Sequence, residues 1–442
     1  MVTAVARPDT AGSRQVVGRV VRVARTTPGR LAVTGAVLVV LALLAGLFAF
    51  LAVRDRAEAA ERVATRSEPL GARTQELYRA LAEADAAAAA GLLSGGVEKQ
   101  GLRDDYIQSL DTAQRTLMAA KTSGTSGRVE QLLSQLSVEI PRYREDVARA
   151  KAETRQGHPV GAAYLRAASR QMERVILPAA DELHGIAAKK LRDDHDEATS
   201  VPWTAMAAGL CALAALVAAQ VMLARRTKRV FNPGLVLAAL AVATALAWLT
   251  TSLGSARDDL ARSRDDGWRP ADALSAARFS VLQARAAEGQ ILVQNGSDNN
   301  EYENRFNQLF GKLTAAGPDG LVAAASARAA GDATTTGDIT KAEYSLTAWR
   351  NAHEEVMRLY RATKFSGAVD MVVNDGGASQ VAFAGAEQAL ADAIAKDQAD
   401  FDKAVGRGRD AMDGLAVGVL VLAVVAAAGI VDGVRRRLGE YR

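Results

Sequence analysis

Few residues in this chain have the type and spacing to do chemistry. Two aromatic–arginine pairs stand out, Tyr143-Arg144 and Trp349-Arg350. Aromatic rings and arginine are both enriched in recognition surfaces, so each pair is a candidate partner-binding position. Asp375 and Gly376, in the glycine-rich break at 374–377, form a third candidate. The bland alternative puts both rings in a helix-bundle core, leaves the arginines solvated, and makes the break an ordinary connection. A second set is purely basic: Arg225, Arg226, Lys228 and Arg229, then Arg435, Arg436 and Arg437. Such residues dock an acidic partner, or contact anionic headgroups and merely set topology. Catalytic constellations are missing. There is no phosphate-binding loop, no G-x-S-x-G elbow, no H-E-x-x-H and no cysteine cluster. His184 and His195 could share a helix face, but four scattered histidines favour structural or solvated roles over metal binding. The stretch "DDHDEA" (193–198) reads as a solvated charged face, and "NGS" (295–297) as a turn. An enzyme is not expected, and neither is a cofactor or a metal.

The elements that must hold these residues follow from hydropathy. Four apolar runs are long enough to span a bilayer, which takes about 20 residues: 31–53, 201–223, 234–256 and 414–434. Only the last contains an ionisable carboxylate or base, Asp432, near its end. No intramembrane charge marks an ion path. The segment 1–30, the loop 224–233 and the tail 435–442 together carry fourteen basic residues against two acidic, while the whole chain has a net charge of only +4. By the positive-inside rule these three segments are cytoplasmic. The basic balance therefore points to membrane topology and not to nucleic acid. The expected protein is a multi-pass plasma-membrane protein with both termini inside, and Trp203 and Trp248 at the outer ends of their spans.

Two segments are then exported, 54–200 and 257–412. Cys211 is the single cysteine and lies mid-span, so no disulfide staples them. Apolar residues recur at helical spacing, as in Leu77, Leu81 and Ala84 or Leu110, Ala113 and Leu117. Breaks are expected at 95–96, 122–127 and 156–161, then at 295–300, 317–320, 331–338 and 374–377. Asp298 with Glu301 and Thr340 with Glu343 have capping-box spacing and predict helix starts. The expected fold is all-α: four transmembrane helices and two extracytoplasmic four-helix bundles, each bundle running helically into its spans. The halves read as a tandem duplication. Tyr78 matches Phe279 and Leu81 matches Leu282 at a spacing of 201; Tyr106 matches Phe306 at 200; "YRED" (143–146) matches "WRNA" (349–352). Two spans separate the copies, so the repeat is parallel. Small residues four apart, as at Gly429 and Gly433, predict tight helix packing within the chain or between protomers of a homo-oligomer.

The cytoplasmic pieces are too small to fold. Output must therefore pass to another protein through the basic ends, or the chain is an envelope scaffold with no output. The stretch "QGHPVGAAYLRAASRQM" (156–172), with the length, the basic inner ends and the two helical outer segments, resembles the GlnX family of four-span membrane proteins of high-GC Gram-positive bacteria. That resemblance covers the whole chain. It implies two partners: the amino-acid-binding lipoprotein GlnH outside, which captures aspartate or glutamate, and the serine/threonine protein kinase G inside. It carries over no binding motif residue by residue.

Overall fold

The computed structural model describes residues 27–94, 99–121, 127–227, 232–262, 269–294, 300–329, 333–410 and 414–439. Among these residues there is no strand. They divide into two compact units. One comprises 1–59, 197–258 and 408–442; the other comprises 60–196 and 259–407.

The first unit holds four helices long and apolar enough to cross a membrane. They belong to α1 (Thr27–Arg62), α7 (Trp203–Thr227), α8 (Pro233–Arg262) and α15 (Leu415–Gly439). Side chains such as Leu38, Leu216, Leu235 and Ile430 fill the space between them, and many large apolar side chains, such as Phe48 and Val424, point outward. In lipid, apolar burial drives no association, so close backbone approach must do the work. The predicted small positions provide it inside the chain. A Cβ added to Gly234 would lie 2.4 Å from the Gly429 carbonyl oxygen and 2.7 Å from the Gly433 Cα. The Asn232 amide seals this crossing, donating to the Gly433 carbonyl at 3.0 Å. Gly46 faces Ala423, Gly209 faces Leu246, and Gly418 lies under the Trp248 ring. Trp203 is exposed on the unit surface.

The second unit is built from two helical repeats. The first comprises α2 (Glu68–Leu93), α3 (Gln100–Lys121), α4 (Arg128–Arg155), α5 (Val160–Gln171) and α6 (Leu177–Thr199). A π-helical turn at Met172–Ile176 joins α5 to α6 without a break. The second comprises α9 (Arg269–Val293), α10 (Asn300–Thr314), α11 (Leu321–Arg328), α12 (Ala333–Arg361), α13 (Phe365–Val373) and α14 (Ala378–Asp410). Helix α11 and a 3₁₀ turn at Gly317–Asp319 occupy the extra length of the second copy.

The repeats share a helix stop, expected from the sequence at 156–161 in the first copy but not at its equivalent in the second. Helix α4 ends with Gly157 at φ 76°, the His158 N–H donating to the Glu153 carbonyl at 3.0 Å and the Gly157 N–H to that of Thr154 at 3.0 Å. This is the Schellman pattern. Helix α12 ends the same way 206 residues later: Lys364 donates to Leu359 at 2.9 Å and Thr363 to Tyr360 at 3.0 Å. The offset is the one that matches Tyr143 to Trp349, which ties the duplication to backbone geometry. Only the second copy has a side chain in the left-handed position, Thr363 at φ 59°. A β-branched residue there is strained by roughly 1–3 kcal/mol. Thr363→Gly is expected to stabilise the unit by about 1 kcal/mol in denaturant melts; a destabilisation would show that the Thr363 side chain outweighs its strain.

Several boundaries differ from expectation. Thr340 and Glu343 lie inside α12, so they do not start a helix. The "GDATTTGD" break is shorter than expected, because α12 begins at Ala333. Its threonines are held by tertiary partners that override their low propensity: Thr335 Oγ1 donates to Asp397 at 3.0 Å. Asp298, Gly95 and Gly96 and the 295–297 turn lie outside the described residues. The expected helical passage from outer segment into span holds from Thr27 to Leu93, through a π-helical turn at Val63–Ser67. It fails at the second span, where Ser200–Pro202 is not helical. Pro202 disfavours the helical region for Val201.

Candidate functional site

The seam between the repeats is the candidate site of the second unit. It is formed by α2 and α9, the first helix of each copy. Corresponding residues face each other along it. The Gln75 amide donates to the Ser275 hydroxyl, the Tyr78 and Phe279 rings lie 4.1 Å apart, and a Cβ on Gly289 would meet that of Ala89 at 2.9 Å. Each pair is separated by about the repeat offset, in the same order on both helices. The helices therefore run parallel about a local two-fold axis, as in the interface of a symmetric dimer. Alanine and glycine allow this approach. His184, on α6, bridges Thr74 and Asp272 at 3.3 Å each across the seam, a structural position.

Each copy buries one carboxylate beside the seam, on a helix face that is otherwise alanine-rich. Asp85 accepts hydrogen bonds at one oxygen from the Tyr143 hydroxyl at 3.2 Å and the Ser169 hydroxyl at 2.8 Å. The Gln290 amide, from the other repeat, donates to that serine at 2.6 Å. No ion pair reaches Asp85 among the described residues. Burial pushes its pKa up to about 6, against the pull of Ser169 and Tyr143. Nearby Glu173 is pushed to about 7, by burial and then by the charge of Asp85. Glu288 is the counterpart in the second copy, and it is surrounded by donors. Arg285 pairs with it at 2.7 Å, His353 Nδ1 lies 2.9 Å away, Ser379 donates at 2.8 Å and the Trp349 indole at 3.2 Å. Burial works against its ionised form, but His353, Arg285 and Ser379 outweigh burial and hold its pKa near 2. The two copies thus use one plan, a buried carboxylate met by an aromatic donor and a serine. Among the described residues only the second copy pairs its carboxylate with a guanidinium, that of Arg285.

Two flanks lie beside the seam, one on each side of the local axis. One is a cavity of about 350 Å³ between α2, α3, α9 and α14, within the size range of small-molecule sites. Arg79, Glu83, Asp105, Arg285, Gln380 and Phe383 are among its lining residues. The other flank contains Glu173, Tyr302 and Arg305, whose side chain donates to Gln283 at 2.8 Å.

The aromatic–arginine candidates divide. The rings of Tyr143 and Trp349 are fully buried, so they do not face a partner: they donate to Asp85 and Glu288. Phe306 and Phe310 pack around Trp349 at centroid distances of 5.6 and 5.4 Å. Arg144 is exposed. Arg350 is half-exposed, bonded to Asn307 at 3.1 Å and lying over Phe310. Asp375 and Gly376 sit on an exposed turn, next to Asn374, which accepts from Lys99 of the first repeat. Among the basic candidates, Arg225, Arg435 and Arg436 are exposed, and Arg436 pairs with Asp432 at 2.8 Å. Arg226 and Arg437 lie in helices, and Lys228 and Arg229 lie outside the described residues. The residues missed were Asp85, Glu288 and their donors. The available signal was one carboxylate within each alanine-rich run, Asp85 in "ADAAAAAG" (84–91) and Glu288 in "ARAAEGQ" (284–290). A lone acid on a buried face needs partners.

No curated protein and no solved structure was found to match the chain. Residues 59–196 match the family model described as the actinobacterial sensor domain, and these limits nearly coincide with the first repeat of the second unit. Joined in one chain with four helices apolar enough to cross a membrane, a region similar to the actinobacterial sensor domain fits a membrane sensor.

Proposed function

We propose that the protein is a transmembrane signal transducer that relays the external availability of aspartate or glutamate to a cytosolic serine/threonine protein kinase. A solute-binding lipoprotein captures the amino acid and engages the outer unit. One observation carries the reading: the chain is helical from Thr27 to Leu93, so no loop interrupts the backbone between an apolar span and the helix bearing Asp85. Packed helices convert displacements of about 1–2 Å into discrete states. The positive-inside rule places both termini and the 224–233 loop in the cytoplasm of a multi-pass plasma-membrane protein. Arg225, Arg226, Lys228, Arg229 and Arg435 to Arg437 then face the kinase and anionic lipid. The match to a sensor domain at 59–196 supports the reading. The specific amino acids and partners come from the family resemblance.

The test is in-cell cross-linking from both outer segments and the 224–233 loop, with and without external glutamate. Glutamate-dependent recovery of a binding lipoprotein outside and a kinase inside is expected. Glutamate-independent recovery of cell-wall or division proteins alone would replace the relay with a scaffold. Charge reversal at Arg225, Arg226 and Arg229 is expected to abolish signalling at normal membrane insertion; unchanged signalling would remove their docking role.

A further inference from the structure

We propose that the cavity between α2, α3, α9 and α14 binds a small organic cation that carries an ammonium or guanidinium group. The argument rests on comparing the cavity with the opposite flank of the seam. The repeat offsets pair their residues. Asp105 on α3 corresponds to Arg305 on α10, one position before the matched Tyr106 and Phe306. Leu102 corresponds to Tyr302. Gln380 on α14 corresponds to Glu173, at the offset that matches "DELHGIAAK" (181–189) to "QALADAIAK" (388–396).

The opposite flank supplies its own cation. Arg305 donates to Gln283 at 2.8 Å, and its charge lowers the pKa of Glu173 against burial. The cavity has the reverse arrangement. Where the flank has a guanidinium, the cavity has the carboxylate of Asp105, and among the described residues no hydrogen bond or ion pair reaches it. Burial, then the charges of Asp104 and Asp375, raise its pKa.

The cavity's own guanidiniums are already engaged. Arg79 is held by Glu76 at 2.5 Å and by Glu83. Arg285 is held by Glu288 at 2.7 Å, by Gln380 and by the Val372 carbonyl. Glu387 is paired with Arg278. An anionic ligand would find no free donor of charge and would meet Asp105. A cationic ligand would stand where Arg305 stands in the other copy. Leu102, Leu282 and Phe383 supply an apolar wall for its carbon skeleton. The cavity is thus the half-site in which the chain leaves the cation to a ligand.

This proposal deepens the sensor reading by giving the outer unit a ligand of its own, and it is read out by binding alone. The full chain in lipid nanodiscs is titrated calorimetrically with agmatine and putrescine, and with glutamate and succinate as anionic counter-probes. At least one amine is expected to bind saturably and the anions not to bind. Asp105→Arg, which installs the charge of the opposite flank, is expected to weaken amine binding at least tenfold, and Asp105→Asn to weaken it less. Asp105 is exposed, and an unchanged thermal melt verifies that each variant is folded. Amine binding that survives Asp105→Arg, binding of an anion in place of the amines, or binding of no probe would each overturn the proposal. Amine binding without glutamate-dependent partner recovery would sink the relay and leave the cavity assignment standing. Partner recovery without amine binding would do the reverse.

Discussion

Replacing Glu288 with alanine is expected to destabilise the second unit by about 3–5 kcal/mol, the usual cost of breaking a buried ion pair from one side. Its carboxylate is fully buried and serves Arg285, His353, Ser379 and Trp349 together. Removal leaves the Arg285 guanidinium, itself buried, with only neutral acceptors such as Gln380 and the Val372 carbonyl. His353 is stacked against Phe306 at 3.6 Å and cannot follow a new partner without unpacking that ring. A denaturant midpoint unchanged in Glu288→Ala would show that Arg285 is solvated and that the core assignment is wrong. The ionisation of Glu288 also sets a sign. Its pKa is held below the ordinary value, so its contribution is present above about pH 4.5 and is lost as pH falls toward 2.

Asp85 has the opposite sign and produces the second large effect. Its pKa is raised to about 6, so the folded state holds its proton more tightly than the unfolded chain does. Stability from this group is fully present below about pH 4 and is lost as pH rises through 6. The difference between pH 4 and pH 8 is about 3 kcal/mol, from about two pKa units at about 1.4 kcal/mol each. Asp85→Asn keeps an acceptor oxygen for Tyr143 and Ser169 while removing the charge. Its stability is expected to exceed that of the native chain at pH 8 and to converge with it near pH 4. Glu173 lies in the field of Asp85, so its titration is expected to move down in the same variant. Parallel stability–pH curves for the two proteins would exclude Asp85 as a titrating group.

The architecture was largely legible, because its determinants are local. Twenty apolar residues without charge have few soluble alternatives, and glycine and proline breaks punctuate alanine-rich helices. The offset between copies was visible at Tyr78 and Phe279, and those two rings touch. What was not legible was tertiary. Thr340 has the spacing of a cap, yet it is carried inside α12 by the packing of its neighbours. The sequence left Tyr143 and Trp349 open between a recognition surface and the bundle core, and it did not show that Asp85 and Glu288 take their donors. Asp85 is far in sequence from Tyr143 and Ser169, and Glu288 from Trp349, His353 and Ser379; only Arg285, one helical turn from Glu288, is a local partner. The inter-repeat cavity is hidden for the same reason: its lining comes from four helices, and its contrast with the opposite flank appears only when α2 and α9 are seen side by side.

The local two-fold axis has a consequence for dosage. Two separate chains that met along such an axis would pair only at sufficient abundance, so their response would vary with expression level. Here the partners share one polypeptide, and their encounter is intramolecular, at an effective concentration fixed by the connecting chain. Pairing is then the same in a cell with few copies as in a cell with many. The fusion also frees each half from having to complement an identical copy of itself. One side of the seam can keep an arginine at position 305 and the other an aspartate at position 105, a division of labour that a homodimer, encoding both sides with one sequence, could not inherit.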